Sequence, residues 1–315
     1  VYKRQIVACG TAMHAGLMGK SIIEKLCRIP VEVDIASEFR YRNPIIDEKT
    51  LCIFVSQSGE TADTLAALRL SKSHGARTLA ISNVIGSTIT READYTIYTH
   101  AGPEIAVAST KAYTSQVCLI AMLGIYFAEL LGSYSKDELE KLKADILDLP
   151  SKIEAVLDNC EEIKTFASKV YTQKDMFFLG RGTDYNVALE GSLKLKEISY
   201  IHSEAYAAGE LKHGPIALIE NGVTVIGIIT NKELVEKTIS NMQEVITRGA
   251  KTLIITNQIL PNNNFGYVIN IPETNELISP ILSVIPLQLL SYYISKNKGL
   301  DVDKPRNLAK SVTVE

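Results

Sequence analysis

Small polar side chains cluster directly after the apolar run 51–55. Ser56, Gln57, Ser58 and Thr61 place three hydroxyls and one amide within six positions. A helix that begins after such a turn presents unpaired backbone N–H groups and the positive end of its dipole, and hydroxyls add donors. The pattern therefore predicts a phosphate cradle that needs no lysine. A plain helix N-cap is the alternative, since Ser and Thr are also favoured there.

A second polar group stands before the apolar segment 117–128. Glu104 and the hydroxyls of Ser109 and Thr110 precede Lys111, where a long helix is expected to begin. These groups are suited to binding sugar hydroxyls at the same strand-end crevice as the phosphate cradle. The alternative is helix capping, because acidic residues, Ser and Thr are favoured at any helix start.

Three charged residues form a helical stripe in the second half of the chain. Glu190, Lys194 and Glu197 are spaced i, i+4 and i+7, which places them on one face of a helix. Such a stripe is often a solvated surface. If it faces a crevice instead, a carboxylate beside an ammonium is suited to removing a proton next to a carbonyl group.

His213 is followed by Gly214 and Pro215, which predicts a loop. An imidazole in a loop can move and titrates near neutrality, and the opening of a cyclic sugar needs such a proton carrier. An ordinary surface histidine is the alternative.

The C-terminal stretch 305–311 is polar at its centre and contains Lys310. A tail without its own apolar core has to dock on the domains to be ordered. A docked lysine can be desolvated enough to form a Schiff base with a carbonyl substrate. An exposed terminus with ordinary charges is the alternative.

Short β-type runs alternate with long helix-type stretches, which predicts parallel sheets with helices on both faces. The fold class is therefore α/β. Ligands of such sheets bind beyond the carboxyl ends of the strands, which is where the 56–61 turn lies. The predicted strands are 6–8, 51–55, 78–81, 95–98, 176–179, 223–229, 253–256 and 267–271.

The two halves of the chain also match each other. The run 78–83 resembles 252–257, an offset of 174, and the run 9–11 resembles 181–183, an offset of 172. A near-constant offset indicates a tandem duplication of one α/β domain. We expect a first domain over 1–149, a second over 150–299 and a tail over 300–315. The second copy keeps the strand 223–229 but lacks the Ser-rich turn, so only the first copy is expected to hold a phosphate.

Composition limits the classes of partner. The 315 residues carry a net charge of −3 without a long basic run, so neither nucleic acid nor a membrane surface is expected as a partner. The segment 117–128 is shorter than the roughly 20 residues of a bilayer span and is expected to be a buried helix. The short basic start lacks a signal-type apolar region, which makes secretion improbable and suggests a missing upstream segment.

Cysteine and histidine patterns give no sign of a metal or cofactor. Five cysteines without a CxxC pair are expected to be reduced core residues, which favours the cytoplasm. Five histidines show no ligand spacing. The run 180–185 carries Tyr185 where a dinucleotide-binding GxGxxG motif needs its third glycine, so that signal is weak.

Taken with these motifs, the chain closely resembles the isomerase portion of glucosamine-6-phosphate synthases, over essentially its whole length. The most specific stretches are 56–61, 104–111, 188–215 and the tail 301–315. The resemblance implies two tandem sugar-isomerase (SIS) domains, each a three-layer, flavodoxin-like αβα sandwich, followed by an active-site tail. It implies no cofactor.

The resemblance also implies roles for individual residues and an activity. The activity is isomerisation of fructose 6-phosphate and, with ammonia from a glutaminase domain that this sequence lacks, synthesis of glucosamine 6-phosphate by a homodimer. Ala12 departs from the Ser of many relatives. The implied roles are phosphate binding for Ser56, Gln57, Ser58 and Thr61, with Thr11 nearby; sugar contacts for Glu104, Val107, Ser109 and Ala309; proton transfer between C1 and C2 for Glu197; ring opening for His213 of a neighbouring subunit; imine formation for Lys310; and support for Lys194 and Glu190.

Two other functions remain open on sequence grounds. A related SIS enzyme, such as a fructosamine-phosphate deglycase, would share the cradle but not the signature tail. A non-catalytic phosphosugar-binding regulator would need the cradle but not Glu197, His213 or Lys310, all of which are present.

Overall fold

The computed structural model describes residues 3–261 and 264–314, so Val1, Tyr2 and the last residue of the tail motif, Glu315, lie outside the described residues. The chain divides into two compact units. One runs up to Lys143 and includes the chain from Ala309 onward, and the other is Ala144–Leu308.

The first unit is built on a parallel sheet with the strand order β2-β1-β3-β4-β5. Its strands are β1 (Lys3–Ala8), β2 (Val31–Ile35), β3 (Thr50–Ser56), β4 (Arg77–Ser82) and β5 (Tyr95–Tyr98). Its helices are α1 (Gly10–Cys27), α2 (Ala36–Phe39), α3 (Ala62–Ser73), α4 (Thr88–Glu92) and α5 (Lys111–Leu131), and α6 (Lys136–Leu147) runs across the boundary between the units.

The second unit repeats this plan, with the order β10-β9-β8-β6-β7. Its strands are β6 (Asp175–Gly180), β7 (His202–Ala207), β8 (Thr224–Ile229), β9 (Lys251–Thr256) and β10 (Tyr267–Asn270). Its helices are α7 (Leu149–Asp158), α8 (Glu161–Val170), α9 (Thr183–Ser199), α10 (Val235–Ile246) and α11 (Ser279–Asn297), with short 3₁₀ helices at Ala208–His213, Pro215–Leu218 and Lys232–Leu234.

Read from the second strand of each copy, both sheets have the order 2-1-3-4-5, so the predicted α/β class and the predicted duplication are confirmed. The order reverses direction between the first and third strands of each copy, and ligands of doubly wound sheets bind at that point. The 56–61 turn follows the third strand of the first copy and Thr11 follows its first strand, so both stand at this crevice.

Alternation along the strands places helices on both faces of the first sheet. The side chain of Ile6 lies against Gly16 of α1, whereas the next residue, Val7, belongs to a buried cluster with Phe39 of α2 and Leu68 of α3. Eight strands were predicted and all are present, within three residues at each end. The prediction missed β2 and β7, whose partly exposed, polar sequences VEVDI and HSEAYA lack an apolar run.

Helix α5 contains the predicted apolar segment 117–128, but only one of its faces is buried. Val117 and Ile120 are fully buried, and Gly19 of α1 allows the close approach of Ile120. Met122 and Tyr126 on the other face are more than half exposed. By length and composition alone, α5 is the one helix within 3–261 and 264–314 that is apolar enough to cross a bilayer.

Candidate functional site

The hydroxyls of the 56–61 turn bond to one another and to the turn backbone. Ser56, the buried last residue of β3, accepts a hydrogen bond from the Gly59 amide (3.0 Å) and shares one with the Thr61 hydroxyl (3.1 Å). Thr61 stands directly before α3, yet its side chain makes no capping bond to that helix. The plain N-cap alternative therefore does not describe this turn. The hydroxyls of the turn stay grouped, which is consistent with an anion-binding site.

Glycine at position 59 holds the turn close to the next strand connection. Its φ is +69°, and a Cβ built there would lie 2.1 Å from the Ser87 hydroxyl. The Glu60 carboxylate accepts the Thr88 amide at 2.8 Å, and this hydrogen bond lowers the pKa of Glu60. The turn is thus held against the segment that contains Ser87 and Thr88.

The tail, which was expected to dock on the domains, contacts this turn. The hydroxyls of Ser58 and Ser311 lie 3.0 Å apart, and the carbonyl of Val312 accepts the Ala62 amide, the first of α3, at 3.1 Å. Neither Ser311 nor Val312 was singled out from the sequence, because hydroxyl and backbone groups in a polar tail give no signal before their partners are known.

Docking also places Lys310 beside the loop before α5. Its ammonium donates to the carbonyl of Ala106 at 2.5 Å, and the residue is half-buried. The half-buried residues Val107 and Ser109 belong to the same loop, and Ala309 is exposed. The first unit therefore brings together the predicted phosphate cradle, the predicted sugar-contacting loop and the predicted imine lysine.

Both oxygens of Glu104 are used for helix capping, the alternative given for this residue. Oε1 accepts the amide and the hydroxyl of Thr110 (3.0 and 3.1 Å), and Oε2 accepts the Ala112 amide (2.9 Å). The carboxylate thereby joins the 104–110 loop to the start of α5. It thereby fixes the loop whose Ala106 carbonyl accepts the Lys310 ammonium.

The charged stripe of α9 is not a solvated surface. Glu190 and Lys194 are 0% and 1% exposed, and Glu197 keeps 22% of its side chain exposed. The Lys194 ammonium lies 3.5 Å from Glu190 and donates a short hydrogen bond to Glu197. Burial lowers the pKa of Lys194, but the two carboxylates outweigh burial and the net shift is upward. Lys194 is consequently an ammonium at neutral pH, and Glu197 alone of the three opens to solvent.

The first copy shows that the fold does not need these charges. Thr183 is the first residue of α9, and its counterpart 172 residues earlier is Thr11 in the first turn of α1. At the same offset, Glu190 and Lys194 correspond to Met18 and Ile22, both fully buried core residues of α1. Burying charge is costly unless it is well paired. A pair of charges where the sister domain has methionine and isoleucine is therefore a candidate for a role other than packing.

The remaining predicted residue, His213, ends the 3₁₀ helix Ala208–His213 and is exposed. Within the part of the chain that the structure describes, no hydrogen bond of its imidazole is found. The predicted loop is therefore a short 3₁₀ helix at this point, and the exposed ring is open to a ligand or another chain.

The C-terminal end of α9 is joined to the segment that leads into the tail. The hydroxyl of Tyr200 accepts the Arg306 amide at 2.8 Å, and the Arg306 guanidinium lies 4.2 Å from the centre of the tyrosine ring. This contact was not predicted, since the two residues are more than a hundred positions apart.

Comparison with known proteins identifies the fold and its repetition. The profile of the SIS domain matches residues 2–126 and again 169–295. The chain belongs to the SIS-domain family. Each match contains one complete sheet of the duplicated fold, so the predicted tandem of SIS domains is confirmed.

Among solved structures, the chain is similar to the C-terminal domain of a glucosamine-fructose-6-phosphate aminotransferase from Francisella tularensis. The two are 40% identical with a TM-score of 0.94, over 97% of this chain and 87% of the other. A glucosamine-6-phosphate deaminase from Thermotoga maritima has a TM-score of 0.81, but at 24% identity it shares the fold alone.

The curated relatives are much longer chains. A glutamine–fructose-6-phosphate aminotransferase (isomerizing) from Clostridium tetani is 64% identical over all of this chain, and one from Thermococcus kodakarensis is 49% identical. The chain spans about half the length of these relatives, 52% in both cases.

Proposed function

We propose that this chain interconverts fructose 6-phosphate and glucose 6-phosphate, and that it forms glucosamine 6-phosphate when ammonia is supplied. The observation that carries the proposal is the docking of the tail, which sets Ser311 against the Ser-rich turn and Lys310 against the neighbouring loop before α5. An amine that can attack a carbonyl and a cradle that can hold a phosphate then stand in the same unit. The names of the relatives supply the sugar, fructose 6-phosphate.

In this proposal the phosphate occupies the crevice beyond β1 and β3. The hydroxyls of Ser56, Ser58 and Thr61, with Gln57 and with Thr11 from the first turn of α1, hold its oxygens, and the start of α3 favours its negative charge. Val107, Ser109 and Ala309 contact the sugar. Glu104 acts indirectly, through the loop that it caps.

Proton transfer falls to Glu197. The carboxylate takes a proton from C1 of the open-chain ketose, which gives an enediol, and returns it to C2; a proton also passes from the C1 hydroxyl to the C2 oxygen, so that the carbonyl moves to C1 and the aldose results. The buried cluster suits this step, because its net charge changes only from −1 to 0 when Glu197 is protonated. Glu190, 3.5 Å from the Lys194 ammonium, keeps that ammonium neutralised throughout.

Lys310 serves the amination. Its neutral amine adds to the C2 carbonyl and water leaves, which gives an imine. Ammonia then displaces the lysine from C2, and the same C1-to-C2 proton transfer gives glucosamine 6-phosphate. We propose that a glutaminase domain of the kind implied by the relatives' names, or ammonia in solution, supplies this nitrogen. Five unbridged cysteines favour the cytoplasm as the place of action.

Ring opening falls to His213, which we propose is contributed by the second chain of a homodimer. Mixing Glu197→Gln chains with His213→Ala chains tests this arrangement. Each mixed dimer would contain one intact site, so subunit exchange should restore about a quarter of wild-type activity. No recovery from two separately inactive variants would contradict the shared site.

The activity itself is tested by coupling glucose 6-phosphate formation to a dehydrogenase. The wild type should convert fructose 6-phosphate, and Glu197→Gln should lose at least about 10²-fold in turnover, the usual contribution of a general base. Glu161→Gln is a matched control, because its carboxylate also pairs with a lysine on a helix but is 80% exposed. An inactive wild type, or equal activity in both variants, would reject the proposal.

A further inference from the structure

A carboxylate fills the crevice of the second copy. Asp184 is the second residue of α9, directly after β6, and is 1% exposed. One of its oxygens accepts the amides of Thr230 (2.8 Å) and Asn231 (3.2 Å), and the other accepts the Thr230 hydroxyl. All three donors belong to the turn that follows β8.

This position is where the fold takes its ligands. In the order β10-β9-β8-β6-β7, direction reverses between β6 and β8, so the crevice beyond their carboxyl ends is the ligand site of a doubly wound sheet. Asp184 joins the two turns that border this crevice. It presents an anion to backbone amides, as a bound phosphate would.

Strand register gives the corresponding residues of the first copy. Ser82 of β4 and Thr256 of β9 are equivalent positions in the matching runs 78–83 and 252–257. Ser82 pairs with Ser56 and Thr256 pairs with Ile229, so the turn after Ser56 corresponds to the turn after Ile229. Thr230 and Asn231 then correspond to Gln57 and Ser58 of the predicted cradle.

The anion itself has no counterpart in the first copy. Position 184 corresponds to Ala12, 172 residues earlier. The first copy therefore has a methyl group where the second has a carboxylate. The crevice of the first copy is left open to an external anion, whereas the crevice of the second copy is occupied by the Asp184 side chain.

We propose that Asp184 is a built-in substitute for the phosphate, which closes the second crevice to sugar phosphates and fixes the start of α9 against β8. The first part stands on the geometry alone. The second rests on the proposed function, because α9 also carries Glu190, Lys194 and Glu197, and Asp184 would act on them as a positioning residue. Burial raises the pKa of Asp184 and outweighs the hydrogen bonds from Thr230 and Asn231, which act in the opposite direction, so the net shift is upward.

Formate rescue of Asp184→Ala tests the first part without reference to activity. The substitution removes a carboxylate group, which formate can replace on the same three donors. We expect a lower melting temperature for the variant, and we expect tens of millimolar formate to raise it by several degrees more than in the wild type. Chloride at equal ionic strength should give no such difference.

The number of inorganic phosphate ions bound per chain shows how many crevices are open. By calorimetry the wild type should bind one equivalent per chain, and Asp184→Ala should bind a second, weaker one. Asp184→Asn can keep its side-chain oxygen on the two backbone amides and donate its NH2 group to the Thr230 hydroxyl, so it should be less destabilised than Asp184→Ala and, because it fills the same space, insensitive to formate. If formate stabilises the alanine variant and the wild type equally and no second phosphate binds, Asp184 is an ordinary structural carboxylate and the proposal fails.

The positioning part has its own readout. Asp184→Ala should lower turnover by about 10²-fold, the cost of misplacing a reacting group by an ångström, with a small change in KM, and formate should restore turnover. Rescue of stability without rescue of turnover would overturn the positioning role alone. An inactive wild type would reject the isomerase proposal and leave the formate and phosphate results interpretable.

Discussion

Replacing the buried ion pair of α9 by apolar residues should separate folding from catalysis. The perturbation is Glu190→Met together with Lys194→Met, which nearly conserves side-chain volume and follows the first copy, where Met18 and Ile22 fill these positions. Glu197 remains, and its 22% side-chain exposure allows solvation without the ammonium. We expect the double variant to fold at least as stably as the wild type and to have no isomerase activity.

The magnitudes follow from burial. Removing one member of a buried pair costs about 3–5 kcal/mol, whereas replacing both by apolar groups is neutral or stabilising by about 1–4 kcal/mol. Lys194→Met alone leaves the Glu190 carboxylate, which is 0% exposed, without the ammonium 3.5 Å away. For a unit of this size, a loss of about 3–5 kcal/mol lowers the melting temperature by roughly 10 °C.

Thermal unfolding by circular dichroism, with turnover measured on the same samples, decides between the two roles. Glu161→Met is the matched control, since it breaks an exposed pair on α8 and should cost less than about 1 kcal/mol. A double variant destabilised as strongly as the single variants would show that the charges are part of the fold's stability. Retained turnover in the double variant would refute the assignment of the cluster to catalysis.

Two further predictions concern the cradle and the thiols. Gly59→Ala should destabilise the first unit by more than about 1 kcal/mol and raise KM for the sugar phosphate, because alanine tolerates neither the φ of +69° nor the contact with Ser87; an unchanged melting temperature would contradict this. Burial raises the pKa of the Cys52 thiol from 9.0 to about 11, so between these values the unfolded chain loses its proton first and the free energy of unfolding should fall as pH rises. Urea unfolding at pH 9 and pH 11 checks the sign, and Cys52→Ser should flatten the slope.

Much of the fold could be predicted because the strands of a buried parallel sheet have nearly continuous apolar sequences. The runs 51–55 and 176–179 are examples, and the repeat offset then fixed the number of sheets. The strands β2 and β7 were missed for the opposite reason, since their polar sequences become strands only through pairing with β1 and β6. Local pattern carries no information on such pairing.

The residues of the candidate site could be picked out from the sequence, but the contacts between them could not. Ser56 and Lys310 stand out by residue type, yet the hydrogen bond between Ser58 and Ser311 joins positions 253 apart and has no local signature. Spacing alone favoured a solvated stripe for Glu190 and Lys194, and burial reversed that preference. For Glu104 the structure supports the alternative that the sequence offered, because this acidic side chain caps the helix that follows it.

Trapping with borohydride tests the central claim most directly. Reducing the chain in the presence of fructose 6-phosphate should convert the imine to a stable secondary amine, located on Lys310 by peptide mass spectrometry, and Lys310→Ala should give no adduct and no amination. An adduct on a different lysine, or amination that survives in Lys310→Ala, would contradict the account.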